Sequence, residues 1–128
     1  MKDIDNHWGV YQTPEGAVGF VYRITLDDRW YIGKKRVVRV SKSRKVTPNN
    51  DWKFYTGSSK ELNADISSSS SQPECEILQW CGMLSELNYA EVMWQIETDA
   101  IRDTQCYNKQ IGSFKMYHAK GWWMDQTK

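Results

Sequence analysis

Residues 20–33 read FVYRITLDDRWYIG, and this stretch decides how the chain folds. Large apolar side chains recur at every second position of its first half: Phe20, Tyr22, Ile24 and Leu26. This period of two indicates a half-buried β-strand, and it resumes at Trp30 and Ile32 after a turn at residues 27–28. The stretch therefore predicts a β-hairpin with one tyrosine, Tyr22 or Tyr31, on each strand.

Length and composition favour a single domain over residues 1–128, with seven Trp and seven Tyr to fill its core. No apolar run approaches the roughly 18 residues of a membrane span, and the first residues are too polar for a signal peptide, so we expect a cytoplasmic protein. Cys75, Cys81 and Cys106 lack zinc-site spacing and are expected to be reduced core thiols. His7 and His118 are expected to be ordinary surface or packing residues.

The net charge of +1 hides two oppositely charged blocks. Residues 34–60 carry nine basic side chains and one acidic side chain, a net charge of +8, whereas residues 61–103 carry nine acids and one base, a net charge of −8. A block of one sign favours a cationic face for a polyanion. A basic loop without a function remains the alternative at this point.

The basic block includes residues 36–50, which are polar and end in the turn cluster Pro48-Asn49-Asn50. We predict a loop or a mobile β-ribbon here, in which Val37, Val38 and Val40 pair transiently. The stretch forms an insertion after the hairpin.

Two helices and a third strand follow. After Gly57, Ser58 or Ser59 is placed to cap a short helix that buries Leu62 and Ile66. Residues 67–71 are all serine and predict an exposed linker, and residues 75–81, CEILQWC, predict a strand.

Apolar residues then follow helical spacing over residues 85–104, with Ser85 as the expected N-cap. Residues 113–128 form a C-terminal tail. The order of elements predicts an α+β fold, a small, mainly antiparallel three-stranded sheet flanked by helices.

The hairpin resembles the core of the GIY-YIG nuclease superfamily, with Phe20-Val21-Tyr22 at the first tripeptide and Tyr31-Ile32-Gly33 at the second. The chain is more closely similar to the Seg-like homing endonucleases of bacteriophages over residues 20–112. The matching positions occur in the family's order: Lys34-Lys35, Asp51-Trp52-Lys53, Gly57-Ser58-Ser59, Tyr89, Glu91, Gln95 and Tyr107-Asn108.

The resemblance implies a metal-dependent DNA endonuclease that acts in the host cytoplasm if the chain is phage-encoded. Glu91 is then expected to bind Mg²⁺ (or Mn²⁺), an ion that prefers oxygen ligands and keeps several waters. Asn108 is expected to position Glu91 or a metal-bound water. Taken alone, Glu91 fits a solvated helix face, Gln95 a polar stripe or a site wall, and Asn108 a turn.

The same resemblance assigns Tyr22 as the general base and Tyr31 as the group that orients the water or the phosphate. We expect Lys34, a catalytic candidate, and Lys35 to lower the pKa of Tyr22. A simple core tyrosine is the alternative for Tyr22.

One departure concerns the cation that binds the scissile phosphate. The superfamily carries an arginine on its first helix, and SSKELNADI has none, which leaves Lys60 or Arg36. Further basic residues are expected to bind DNA: Lys35, Arg36, Arg39, Lys42, Arg44, Lys45 and Lys53.

A GIY-YIG-fold module that has lost catalysis and binds nucleic acid or a protein is the alternative function. Sequence specificity would be low or would come from the insertion and the tail. One active site per chain favours nicks unless the protein forms a homodimer or another homo-oligomer.

Overall fold

The predicted hairpin forms two of the three strands of a central antiparallel sheet in the computed structural model, which describes residues 8–9, 12–49, 51–111 and 114–115. The strands, in chain order, are β1 (Gly19–Leu26), β2 (Arg29–Arg36), β3 (Val38–Val40), β4 (Val46–Pro48), β5 (Glu74–Cys81), β6 (Gln110–Ile111) and β7 (Phe114–Lys115). The helices are α1 (Lys60–Ser68) and α2 (Leu84–Glu97), and a 3₁₀ helix spans Asp51–Phe54. The predictions for His7, His118 and most of the tail lie outside the described residues.

The sheet has the order β2-β1-β5, with both neighbours antiparallel to β1. Asp27 occupies the hairpin turn with φ 54°, a left-handed conformation that aspartate adopts more readily than most residues. A register shift between Val21 and Tyr22 makes Leu78 an extra residue on β5. The sequence prediction of a mainly antiparallel three-stranded sheet is confirmed.

The central position of β1 changes one expectation. The alternation predicted a half-buried strand, but Val21 is as completely buried as Tyr22 on the opposite face. One face of the sheet packs against α1 through Leu62, and the other packs against α2 through Leu87. Because neighbours cover β1 on both faces, Val21 on the second face is also core, whereas Arg23 and Thr25 on that face stay partly exposed.

Capping explains where α1 begins and where α2 ends. Ser59, one of the two predicted caps of α1, accepts a hydrogen bond from the Leu62 backbone N–H at 3.2 Å. α2 begins after Met83 without a side-chain cap, so the prediction of Ser85 as N-cap is wrong. It also ends at Glu97 rather than near residue 104, because Asp99 has a left-handed φ of 58°.

The basic insertion forms a two-stranded ribbon separate from the central sheet, in which β3 pairs with β4. Val37 does not join this pairing and instead lies buried in the core. The serine run is shared between two elements, because α1 extends through Ser68 and only the later serines connect it to β5. The three cysteines form no disulfide, and Cys81 and Cys106 are buried.

In the described part of the chain, no helix is both long and apolar enough to cross a membrane.

Candidate active site

A cleft of about 510 Å³ opens where β2, the start of α1, the middle of α2 and the chain after α2 meet. Its walls are formed by Tyr31, Lys34, Ser58, Ser59, Lys60, Glu61, Glu91, Gln95, Tyr107, Asn108, Lys109 and Gln110. Five of the six catalytic candidates chosen from the sequence line it: Tyr31, Lys34, Lys60, Glu91 and Asn108. The structure therefore brings together residues that are up to 77 positions apart.

The outer edge of β2 is held by residues 105–108 rather than by a fourth strand. Trp30 donates its backbone N–H to Gln105 O at 3.1 Å and accepts from Tyr107 N at 2.8 Å. Two residues further along β2, the side-chain amide of Asn108 accepts from Ile32 N at 2.9 Å and donates to Ile32 O at 2.8 Å. The amide thus replaces a peptide group of a neighbouring strand.

Asn108 was expected to position Glu91 or a metal-bound water. Its described hydrogen bonds go instead to Ile32 and to the thiol of Cys106, which donates to Asn108 Oδ1 at 3.0 Å. Asn108 is buried, so these bonds replace the solvation that its amide has lost. It fixes the strand that carries Tyr31 and Lys34.

Glu91 lies on α2 at the cleft, with a side chain that is 14% exposed. Lys34 Nζ lies 3.4 Å from Glu91 Oε1, so the two candidates form an ion pair. Gln95, one turn further along the same helix face, donates to Ile32 O at 3.3 Å, and its Oε1 has no hydrogen-bond partner among the described residues. The side-chain oxygens that α2 contributes at the cleft are therefore the Glu91 carboxylate and the buried, unpaired Gln95 Oε1.

The two motif tyrosines occupy different depths. Tyr31 lines the cleft, and its hydroxyl lies 3.3 Å from Ser58 Oγ. Tyr22 is completely buried behind the wall, in ring contact with Tyr31 and Tyr55. Its hydroxyl has no hydrogen-bond partner among the described residues.

The pKa of Tyr22 is raised well above its ordinary value of 10.0, mainly because burial disfavours the phenolate and then because of Tyr55. The expected lowering of this pKa by lysines is wrong. Lys34 is neutralised by Glu91 and Lys35 by Asp51 at 3.2 Å, and neither lysine offsets the burial. Burial likewise raises the pKa of Tyr31, although its hydrogen bond with Ser58 partly lowers it.

Gly33, the last residue of the second tripeptide, makes room for both tyrosines. A Cβ at this position would lie 2.6 Å from Tyr22 Cζ and 2.9 Å from Tyr31 Cε2. A Cβ at Gly57 would lie 3.4 Å from the Tyr22 hydroxyl, and the φ of 89° at Gly57 disfavours any larger residue. Both glycines therefore lie against the side chain of Tyr22.

The cations around the start of α1 differ in their pairing. Lys60 is exposed at the cleft and forms no ion pair with the described residues. Lys109 Nζ lies 3.4 Å from Glu61, which also accepts from Arg29 at 3.3 Å. Arg36 lies in a separate hollow with Lys34 and Leu87.

The residues chosen for DNA binding are distributed over two surfaces. Lys53 lies in the 3₁₀ helix, and Lys35 forms an ion pair with Asp51 of that helix. The Nζ atom of Lys35 also lies 4.7 Å from the centre of the Tyr55 ring. The other members are exposed on or next to the ribbon: Arg36, Arg39, Lys42, Arg44 and Lys45. These five are open to a ligand.

A comparison with protein families agrees with this geometry. Residues 5–111 match the family model described as "Putative endonuclease segE, GIY-YIG domain". The chain belongs to the GIY-YIG nuclease superfamily. No curated protein and no solved structure matches it significantly.

As a GIY-YIG endonuclease-family domain, the chain departs from the usual pattern on α1, which contains no arginine. Sequence reasoning indicates Lys60 and Arg36 as the cation that binds the scissile phosphate, and it misses Lys109. Lys109 reaches the cleft because residues 105–108 lie along β2. Its position directly after Tyr107-Asn108 was the one available indication.

The donor set of this GIY-YIG site is sparse. Among the described residues, no three His, Cys, Asp or Glu side chains cluster as metal ligands. Of the two carboxylates on the cleft wall, Glu61 is already paired with Arg29 and Lys109. Glu91 and the unpaired Gln95 oxygen suit a hard cation that keeps most of its waters, and they do not suit zinc.

Proposed function

We propose that the protein is a divalent-metal-dependent DNA endonuclease of the phage homing type, acting in the cytoplasm of the host cell. The observation that carries the proposal is the pairing of a half-buried carboxylate, Glu91, with a lysine in a cleft that also contains Tyr31. Phosphodiester hydrolysis needs a cation against the growing charge, an activated water and fixed alignment.

Glu91 would hold Mg²⁺ or Mn²⁺, with Gln95 Oε1 as an additional oxygen nearby. The ion supplies positive charge against the phosphate during bond cleavage. Lys34, which contacts the Glu91 carboxylate at 3.4 Å, would be free to turn to the substrate when that carboxylate holds the ion. A free Lys34 would contribute its ammonium charge to a phosphate oxygen.

Tyr22 remains the proposed general base. Its buried, unpaired hydroxyl lowers stability without improving packing, and a phenylalanine would fill the same space. A role in catalysis accounts for that cost. Gly57 places no side chain beside the hydroxyl and would leave room for the water to approach, and Tyr31 on the cleft wall would orient it.

Lys60 and Lys109 are the proposed replacements for the missing arginine. Lys60 is exposed without a carboxylate partner among the described residues, and Lys109 is 77% exposed with only a long pairing to Glu61. Two lysines provide charge without the planar fork of a guanidinium, so we expect weaker alignment of the phosphate.

Cleavage of supercoiled plasmid in Mg²⁺ by wild type and by Glu91→Gln tests the proposal. We expect the variant to lose cleavage and to keep or increase DNA affinity, because a negative charge near the phosphates is gone. Glu97→Gln is the matched control, since Glu97 is an exposed residue at the end of the same helix and does not line the cleft. Equal cleavage by wild type and Glu91→Gln would refute the site.

A non-catalytic module that binds nucleic acid or a protein is the second candidate. The absence of an arginine on α1 and the raised pKa of Tyr22 favour it. Binding of DNA by wild type without cleavage in Mg²⁺ or Mn²⁺ would support this candidate against the first.

A further inference from the structure

The basic ribbon formed by β3 and β4 stands on a fixed base. Val37, which precedes it, is buried, donates its N–H to Val18 O at 2.9 Å and accepts from Asn49 N at 2.8 Å. Residues 41–48 are all exposed, and residues 36–48 contain five basic side chains and no acid. The ribbon is therefore a cationic projection attached firmly to the core.

The tip of the ribbon has a defined conformation. Ser41 N donates to Lys45 O at 3.0 Å, and Arg44, with φ 66°, donates to Ser41 O at 2.9 Å. Ser41 Oγ also accepts from Lys45 N at 3.0 Å. This is a three-residue hairpin loop ending in a left-handed residue. It presents three cations at the end of the ribbon: Lys42, Arg44 and Lys45.

The two faces of the ribbon differ. Val38 packs against the core, whereas Arg39, its neighbour on β3, is exposed. Arg39 pairs across the ribbon with Thr47, which is also exposed, so both side chains lie on the face turned away from the core. This face joins a guanidinium to a side chain with both a hydroxyl and a methyl group.

We propose that the ribbon enters the DNA major groove and reads its sequence through Arg39 and Thr47, while the three cations at the tip bind phosphates. The inference rests on the proposed action on DNA. The major groove, about 12 Å wide, admits a two-stranded ribbon as it stands, whereas the minor groove, about 6 Å wide, must first be widened by deforming the duplex. Arginine recognises guanine O6 and N7 with two hydrogen bonds, and threonine can contact a thymine methyl.

The place of the recognised base follows from the chain. Lys34 in the cleft and Arg39 on the ribbon are five residues apart. Five extended residues span at most about 18 Å. This corresponds to about five base pairs at 3.4 Å per nucleotide. A preferred guanine is thus expected near the cut and on one side of it.

Selection from a duplex library randomised over one helical turn tests the inference, with binding to the full chain in EDTA so that cleavage plays no part. We expect wild type to enrich a guanine at one position. Arg39→Lys keeps the positive charge but loses the planar guanidinium that forms two hydrogen bonds to guanine. The preference of this variant for guanine at that position should therefore fall by about 5- to 150-fold. The triple variant Lys42→Ala/Arg44→Ala/Lys45→Ala should keep the preferred sequence. The slope of log affinity against log salt concentration should become less steep by up to about 2.7.

Binding by wild type without any base preference overturns the inference, as does a preference that survives Arg39→Lys unchanged. Selective binding without plasmid cleavage leaves the inference standing and removes the endonuclease proposal. Plasmid cleavage without any base preference overturns the inference and leaves the endonuclease proposal standing. A wild type that binds no DNA contradicts both.

Discussion

Gly33 is the residue at which the two motif tyrosines meet, and its substitution tests how tightly they must pack. A Cβ there would lie 2.6 Å from Tyr22 Cζ and 2.9 Å from Tyr31 Cε2, so one ring must move. We expect Gly33→Ala to lower the free energy of unfolding by about 1 to 3 kcal/mol and to reduce cleavage. Urea unfolding measures the first effect.

Gly82→Ala is the control for Gly33→Ala, since the nearest atom to a Cβ at Gly82 would be 3.8 Å away. If both variants unfold at the same urea concentration, the close packing around Gly33 does not limit stability.

Removal of the Tyr22 hydroxyl is expected to have different effects on stability and on cleavage activity. Tyr22→Phe keeps the ring and removes a buried hydroxyl that has no partner among the described residues, so the melting temperature should stay the same or rise. Cleavage should fall by about two to four orders of magnitude if the hydroxyl is the general base. Unchanged cleavage with an unchanged melting temperature would make Tyr22 a core residue only.

The raised pKa of Tyr22 predicts how cleavage depends on pH. Below its pKa, the phenolate fraction increases about tenfold for each pH unit. The pKa lies well above 10.0, so the logarithm of the cleavage rate should rise with pH through the neutral and mildly alkaline range without a plateau. A plateau near neutral pH would show a base with a much lower pKa. Tyr22→Phe should abolish the rise, which distinguishes it from other titrations.

Residues 105–108 act as a short edge for the sheet, and Asn108 is their critical contact. Asn108→Ala leaves the outward N–H of Ile32 without its 2.9 Å acceptor in a buried place. We expect it to destabilise the protein by about 2 to 3 kcal/mol. Cleavage should also fall, because β2 carries Tyr31 and Lys34 into the cleft. Denaturant unfolding provides the measurement.

Asn88→Ala provides the comparison, because Asn88 is exposed on α2. A loss of stability in Asn108→Ala no greater than in this control would contradict the edge role.

The elements differ in how far the sequence predicts them. The hairpin follows from local alternation, β5 agrees with the strand predicted at residues 75–81, and the start of α1 follows from a serine cap, because these depend on neighbours in the chain. Apolar spacing predicts too late an end for α2, because it continues through Ala100 and Ile101, which are buried although they lie beyond the helix. No strong local feature of the sequence indicates the left-handed turn at Asp99. The turn allows Ala100 and Ile101 to be buried in the core.

The residues of the candidate site also differ in how far the sequence predicts them. The family pattern indicates Tyr31, Lys34 and Glu91, and Lys60 is a cation considered in place of its missing arginine. The cleft brings the four together. The role of Asn108 and the presence of Lys109 depend on contacts with residues 76 or 48 positions away, Ile32 and Glu61, which spacing along the chain does not reveal. The sequence does not predict the raised pKa of Tyr22, because its main cause is the complete burial of the ring in the folded protein, and because the nearby Lys34 and Lys35 are paired with carboxylates.

At the scale of the whole molecule, the opposite charges of the two blocks are partly joined around the cleft. Lys34 of the basic block pairs with Glu91 of the acidic block, and Arg29, which precedes both blocks, pairs with Glu61 and Asp65. These acids organise the cations near the site, whereas the ribbon has no acid within residues 36–48. A protein of net charge +1 can therefore still present a strongly cationic surface to a polyanion.

The single proposed cleft in each chain predicts how a plasmid is cut. One site aligns one phosphodiester at a time, so supercoiled DNA should first become open circles, and linear DNA should appear later from independent second nicks. The initial rate should increase in proportion to protein concentration. Gel analysis of a time course at several concentrations measures both. Linear product formed from the start, with a rate that increases as the square of protein concentration, would instead require two chains acting together.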